Sequence, residues 1–310
     1  MGFLSVTLAA FFAACSNLFM RRSMDAGGTT KAFLAIQMGI AFLIAVLLGP
    51  VKAGSYAFNV PLGMLGVVAG LVLASMLYLL GRALENGPPG FTFSILSAAT
   101  VMPAIVMAVL FGAAYGFLYT TWHGLGSLLV LTGLFWAGKG IGGLQNRRAW
   151  ILFAIGMFSL HVFLLVIFQW RALLLKISHP EELVSFFTSE QIQSQWFMPM
   201  LYLSAFIVQL TIFLKAIGRK PYPKEWVNGI GGGIANSLCT FFLIQGTEVA
   251  TGLENAVIFP LFSIGTIVFS NLWSQRLYQE KVNWRACQVC AMGLFIGTVD
   301  WKAFSSFLGF

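Results

Sequence analysis

The chain has 310 residues, 58% of them hydrophobic and only 9% charged, with a formal charge of +8. Soluble domains run at roughly 45–50% apolar and about 25% charged, so an aqueous globular protein is excluded. The basic residues sit in short segments between apolar runs, with no basic stripe interleaved with aromatics, so the expected partner is a lipid bilayer and not nucleic acid.

Runs of about 20 apolar residues match the hydrocarbon thickness of a membrane. In lipid every backbone group must be paired within its own segment, so such runs are helices, and they lack the alternation of a β-barrel. Ten spans are expected, at 3–20, 32–50, 60–83, 91–113, 120–138, 150–175, 197–217, 227–246, 253–277 and 284–303.

The first span holds Phe12-Ala-Ala-Cys15, which faintly resembles a lipoprotein cleavage box. No charged region precedes it, so a retained helix is expected. The third span carries Gly66-x-x-x-Gly70, which lets another helix approach closely. Ser75, Tyr78, Arg82 and Glu85 then form one polar stripe along it. On this stripe Arg82 either grips an anionic group by paired hydrogen bonds or reaches for the headgroups. The fourth span places Ser94 and Ser97 on one face, and the fifth contains Gly133. Gly138 to Arg148, rich in glycine and ending in two arginines, is the expected join between halves 1–143 and 144–310.

The sixth span holds His161 near mid-bilayer, a titratable group at unusual depth. It serves either as a neutral hydrogen bond between helices or as a proton-coupling group. The connection from Ser178 to Gln195, with Glu181, Glu182 and Glu190, is expected to form a short helix on the membrane surface. The eighth span repeats the glycine pair as Gly229 and Gly233, sets Asn236 and Thr240 on one face, and ends at Glu248. The ninth aligns Ser263, Thr266 and Ser270, followed by Asn271. Back-bonding to their own helix is the plain alternative for the serines and threonines. Cys287 and Cys290 fall inside the tenth span without a second ligand pair, so they are expected to be packing residues.

Gly66, Gly70 and Glu85 recur as Gly229, Gly233 and Glu248 after 163 residues, and Gly133 recurs as Gly297 after 164. Five spans per repeat is an odd number, so the halves must be inverted relative to one another, with a shared site near the midplane. The fold expected is an all-α integral membrane protein of ten helices in two inverted five-helix repeats. Lys and Arg number 14 in loops after odd-numbered spans and 4 on the other side, which places the former in the cytoplasm and both termini outside. Glu85 and Glu248 would then stand at opposite faces, as gates or as groups that steer cations.

Phosphate-binding loops, zinc-protease helices, nucleophile elbows and acidic metal clusters are absent from the sequence. An enzyme is therefore not expected, nor is a metal or cofactor. A membrane enzyme acting on a lipid-linked substrate and a passive pore are the alternatives, and neither convergent acids nor a ring of charge favours them.

Tyr78-Leu-Leu-Gly-Arg-Ala-Leu-Glu-Asn-Gly-Pro-Pro-Gly90, running into Ser97-Ala-Ala-Thr-Val-Met-Pro103, resembles the third-to-fourth helix junction of the drug/metabolite transporter superfamily, in its EamA-like ten-helix form. Phe259-Pro260 and Glu280-Lys281 resemble its ninth-to-tenth helix junction, and Gly133 and Gly297 match the glycine of each closing helix. The resemblance implies a central cavity lined by helices one, three, four, six, eight and nine. It puts Ser75, Tyr78, Ser94, Ser97, His161, Asn236, Thr240, Ser263 and Ser270 on that lining; Arg82 joins them as a substrate-binding candidate through its place on the polar stripe. It also implies the peripheral position of the Cys287 and Cys290 helix. The chain departs from the pattern at Tyr115-Gly-Phe-Leu118, where an acid precedes the fifth helix in relatives, and in its outward termini. No Lys-Thr pair marks the ninth helix, which argues against sugar-nucleotide carriers. The function expected is secondary transport of a small polar metabolite, an amino acid or nucleoside-like compound, by alternating access. Protons are the candidate coupling ion, with His161, Glu85 and Glu248 as coupling or gating groups. The expected location is a bacterial inner (plasma) membrane.

Overall fold

A computed structural model describes residues 2–87, 89–138, 146–177, 184, 187–216, 218–250, 252–279 and 283–298. Within these, the helices are α1 (Gly2–Asp25), α2 (Thr30–Val46), α3 (Val60–Asn86), α4 (Pro89–Ala98), α5 (Met102–Leu110) and α6 (Thr121–Gly138). They continue as α7 (Arg147–Lys176), α8 (Phe197–Ala216), α9 (Pro223–Val249), α10 (Gly252–Tyr278) and α11 (Trp284–Thr298). No strand occurs among the described residues. Among the described residues, eight helical segments are long and apolar enough to cross a membrane: α1, α2 with its last turns, α3, the joined α4–α5, α7, α8, α9 and α10. The chain is an all-α, multi-pass membrane protein. Helices α6 and α11, with 18 and 15 residues, pack against each other beside these eight.

Local chemistry explains the breaks. Pro103 has no N–H to give to the carbonyl of Ala99 and its ring crowds that carbonyl, so the turn Ala99–Val101 tightens to a 3-10 helix between α4 and α5. Pro50 marks the opposite distortion just past α2, where Leu47–Val51 widens into a π turn. Asn59 caps α3 by accepting from Leu62 N at 3.2 Å, and Asn146 caps α7 by accepting from Ala149 N at 3.2 Å. The helices overrun the apolar segments from which they were expected: α1 continues through Arg21, Arg22 and Asp25, and α9 begins four residues before position 227. Backbone pairing does not stop where hydrocarbon does. Between α7 and α8 the described residues contain one helical turn, Ser189–Ile192, closed by a Thr188–Gln191 capping box. Phe187 and Ile192 beside it are buried in the main core, so this segment is tucked into the bundle. Glu181 and Glu182, residues 139–145 of the join, and Glu280-Lys281 lie outside the described residues.

The main core runs through α1, α2, α3, α7, α8, α9 and α10. Helix α1 lies on α9 and α10, α3 on α7 and α8, α2 on α8 and α9, and α6 on α11. Glycines set the closest approaches. A Cβ at Gly66 would meet Phe197 O at 2.5 Å, and one at Gly70 would meet Leu201 O at 2.0 Å, so α3 and α8 advance in the same direction. A Cβ at Gly229 would meet Ile36 at 2.7 Å, and one at Gly233 would meet Ile40 at 2.6 Å, so α9 and α2 are also parallel. Gly39 faces Phe206 while Gly49 faces Gln195, which makes α2 and α8 antiparallel. It follows that α3 and α9 run in opposite directions, and Glu85 and Glu248 stand at opposite ends of the bundle.

Candidate functional site

The buried face of α3 carries Gly66, Ala69, Gly70, Ala74, Met76, Leu80 and Ala83. The opposite stripe, Ser75, Tyr78, Arg82 and Glu85, is exposed as its spacing predicts. Arg82 donates to Glu85 at 2.9 Å within the same helix, and its guanidinium lies 5.5 Å from the Phe153 ring of α7. With both side chains about half exposed, that pair contributes well under about 1 kcal/mol. Arg82 is therefore available to an anionic ligand at little cost.

His161 joins α7 to α4. Its Nδ1 lies 2.9 Å from Leu96 O. A carbonyl only accepts, so the proton sits on Nδ1 and the ring links the two helices. Next to this contact, Ser263 Oγ donates to Ser97 O at 3.4 Å, bringing α10 against α4 near the 3-10 turn. His161, Ser97 and Ser263 thus gather around the α4 break. Ser94 turns away from them and donates to Leu134 O of α6 at 2.6 Å. Ser270 Oγ is buried without a hydrogen-bond partner.

Asn236 and Thr240 share a face of α9, but it is turned to α8. Tyr202, fully buried, donates to Thr240 Oγ1 at 2.6 Å, and Asn236 Nδ2 donates to the Tyr202 hydroxyl at 3.1 Å. Asn236 Nδ2 and Thr240 Oγ1 are thereby engaged within the fold. Thr266 donates to Phe262 O at 2.8 Å, the back-bonding expected of a hydroxyl inside a helix. Cys287 and Cys290 are buried on α11; Asn271 donates to Cys287 Sγ at 3.3 Å, and Cys290 packs against Gly133.

A cluster of charged and amide side chains lies at the Glu248 end, and most of its members were not singled out from sequence. Arg171 of α7 donates to Glu248 of α9. Lys176 donates to Ala250 O at 2.7 Å and Thr247 O at 3.2 Å. Gln169 donates to Asn255 O at 2.9 Å, and Asn255 Nδ2 to Gly116 O at 3.3 Å. The signal available in sequence was position: Arg171 sits well inside a span, one turn and more from its end. A second cluster ties loops together at the opposite end. The Glu225 carboxylate accepts from Thr29 N at 2.7 Å, Tyr222 N at 2.6 Å and both Arg219 terminal nitrogens at 2.8 and 2.9 Å.

An apolar groove of about 230 Å³ lies between α4, α6 and α7, lined by Ile95, Phe135, Ile151, Ile155 and Phe158 among others. Its polar neighbour Trp150 Nε1 is already donated to Thr92 Oγ1 at 3.0 Å, so the groove offers nothing to a polar metabolite. Among the described residues no three His, Cys, Asp or Glu side chains are grouped to hold a metal.

No family model matches the chain. No curated protein matches it either. Among solved structures, the crystal structure of a protein superposes with a TM-score of 0.67 over 95% of this chain and 98% of the other, at 14% identity. A likeness at that identity defines a shared fold across nearly the whole chain.

Proposed function

We propose that the chain is a secondary transporter of the drug/metabolite transporter type, with ten membrane spans in two inverted repeats, α6 and α11 being the fifth and tenth. It moves a small polar metabolite, an amino acid or nucleoside-like compound, by rocking the halves about a midplane site. The observation that carries this reading is the use made of the repeated glycines. Gly66 and Gly70 seat α3 on α8, while Gly229 and Gly233 seat α9 on α2. An inverted repeat exchanges α3 with α9 and α8 with α2, so the two contacts are one contact seen twice. The closing helices obey the same operation. A Cβ at Gly133 meets Cys290 at 2.5 Å, and one at Gly126 meets Gly297 N at 2.8 Å. Adding 164 to 133 gives 297 and to 126 gives 290, so each pair maps onto the other.

Within this frame the exposed stripe of α3 and the cluster of His161, Ser97 and Ser263 are the groups that would meet substrate. Flux and counterflow in proteoliposomes, with amino acids, nucleosides and organic cations, test the reading. Saturable flux with trans-stimulation of one class is expected; no flux for any class, with turnover of a lipid instead, would replace it with a membrane enzyme. His161→Gln keeps a donor for Leu96 O and removes titration. Flux with an unchanged pH profile is expected of it; a flattened profile would make His161 the proton-coupling group.

A further inference from the structure

The two ends of the bundle differ. At the Glu248 end, α7 packs on α9, held by Arg171–Glu248, by Lys176 on two α9-end carbonyls and by Gln169 on α10. The Arg171 side chain is only 10% exposed, so the guanidinium is shielded, while Glu248 at 32% keeps part of its carboxylate accessible. The guanidinium also lies 5.1 Å from the Phe197 ring of α8. At the other end, α1 and α3, which the repeat sets in the places of α7 and α9, make no more than a passing contact. Glu85, the counterpart of Glu248, is 57% exposed and pairs with Arg82 of its own helix.

The stripes along α3 and α9 differ in the same sense. Ser75, Tyr78, Arg82 and Glu85 are all exposed. Displaced by 163 residues, Leu238, Phe241 and Glu248 are half-buried and only Gln245 is exposed. Arg171 Nε and Gln169 Oε1 are buried without hydrogen-bond partners, so the cluster at the Glu248 end is incompletely satisfied as it stands.

We propose that Arg171 and Glu248 are the latch of the gate at their end of the bundle, and that the structure is the state in which this gate is shut and the Glu85 end is open. The proposal rests on the transporter reading and names how its site is closed. Its physical basis is the dependence of an ion pair on water. With the guanidinium shielded, separating the partners strands a charge in a low dielectric; once water enters, the same pair contributes little and parts readily. The contact therefore resists small openings and yields to a full one, as a two-state element requires.

The test is one-sided labelling of Leu238→Cys by a membrane-impermeant maleimide, in a background lacking the four native cysteines and in proteoliposomes of determined orientation. Leu238 lies below the latch on the α9 stripe, at the position that the repeat pairs with Ser75. With the latch intact, labelling from the Glu248 side is slow. Glu248→Gln leaves Arg171 unpaired only while the gate is shut, so labelling from that side is expected to accelerate by about tenfold or more. The exchanged pair Arg171→Glu with Glu248→Arg is expected to return labelling to the slow rate. If Glu248→Gln does not yield monodisperse protein, Arg171→Cys with Glu248→Cys serves in its place, with oxidation slowing and reduction restoring the labelling of Leu238→Cys, read by peptide mass at that position. Equal labelling of parent and Glu248→Gln, or of reduced and oxidised forms, overturns the latch. Labelling needs no substrate, so a latch that fails while flux persists is distinguished from a latch that responds in a protein that transports nothing.

Discussion

Gly70→Ala is expected to destabilise the protein by about 3 kcal/mol or more, the upper range for overpacking a core. The added methyl would lie 2.0 Å from both Leu201 O and Ser204 Oγ. Neither can retreat cheaply. Leu201 O is backbone of α8, and the single Ser204 hydroxyl proton is shared between Val67 O at 3.2 Å and Leu201 O at 3.1 Å. The helices must therefore separate, and with them the dispersion contacts along the whole seam. Gly233→Ala is expected to have a smaller effect of the same sign, since its methyl meets Ile40 Cβ at 2.6 Å and Gln37 O at 2.8 Å. Gly81→Ala is the control on α3. Nothing lies within 4 Å of its Cβ position, so the substitution is expected to be neutral or to add up to about 1 kcal/mol of helix propensity. Thermal unfolding in detergent, followed by circular dichroism and by size-exclusion profile, reads all three. A melting curve for Gly70→Ala that overlays the parent would remove the seam as the determinant of the fold.

Glu225→Ala is the second large effect expected, about 2–4 kcal/mol. The carboxylate is fully buried and answers four N–H donors from three residues, Thr29, Tyr222 and Arg219. Removing it strands the amides of Thr29 and Tyr222 and leaves Arg219 without its partner, whose hydrogen bond raises the guanidinium above its ordinary pKa. The figure is set below the roughly 3–5 kcal/mol of a wholly buried broken pair because Arg219 itself reaches solvent. Glu225→Gln keeps the shape but turns an N–H₂ toward donors, so it is expected to fall between the parent and Glu225→Ala. Lowered melting together with faster proteolysis in the 26–29 and 218–222 loops is the outcome to look for. A melting loss without faster cleavage there would mean that the carboxylate stabilises α9 alone and does not join the loops.

Most of the helical layout could be read from the chain because the bilayer leaves so few choices. Apolar length fixes where helices cross, and expected spans such as 60–83 and 197–217 fall within or beside Val60–Asn86 and Phe197–Ala216. The Gly66–Gly70 close approach was legible because only a missing side chain lets two backbones come so near. The candidate site was less legible, for a physical reason. Helical periodicity tells which residues share a face but not which neighbour that face meets. Asn236 and Thr240 do share a face, yet Tyr202 occupies it; Ser94 donates to the backbone of α6, while at Ser97 it is the backbone carbonyl that Ser263 of α10 meets. The Glu225 cluster escaped notice because its partners are 6 and 196 residues away, in loops that hydropathy treats as featureless.

The glycine seams have a bearing on biosynthesis. Each joins a helix of one half to a helix of the other: α3 needs α8, and α9 needs α2. During synthesis α3 enters the membrane long before its partner exists, presenting a flat strip of Gly66, Ala69 and Gly70 to lipid. Acyl chains are as apolar as the missing helix, so waiting costs the strip little, but nothing holds it in one orientation either. Neither half can then finish packing as a separate unit. The α3–α8 and α2–α9 seams can close only once α8 and α9 are in the membrane, so errors in those later helices would be felt by α2 and α3, which wait for them.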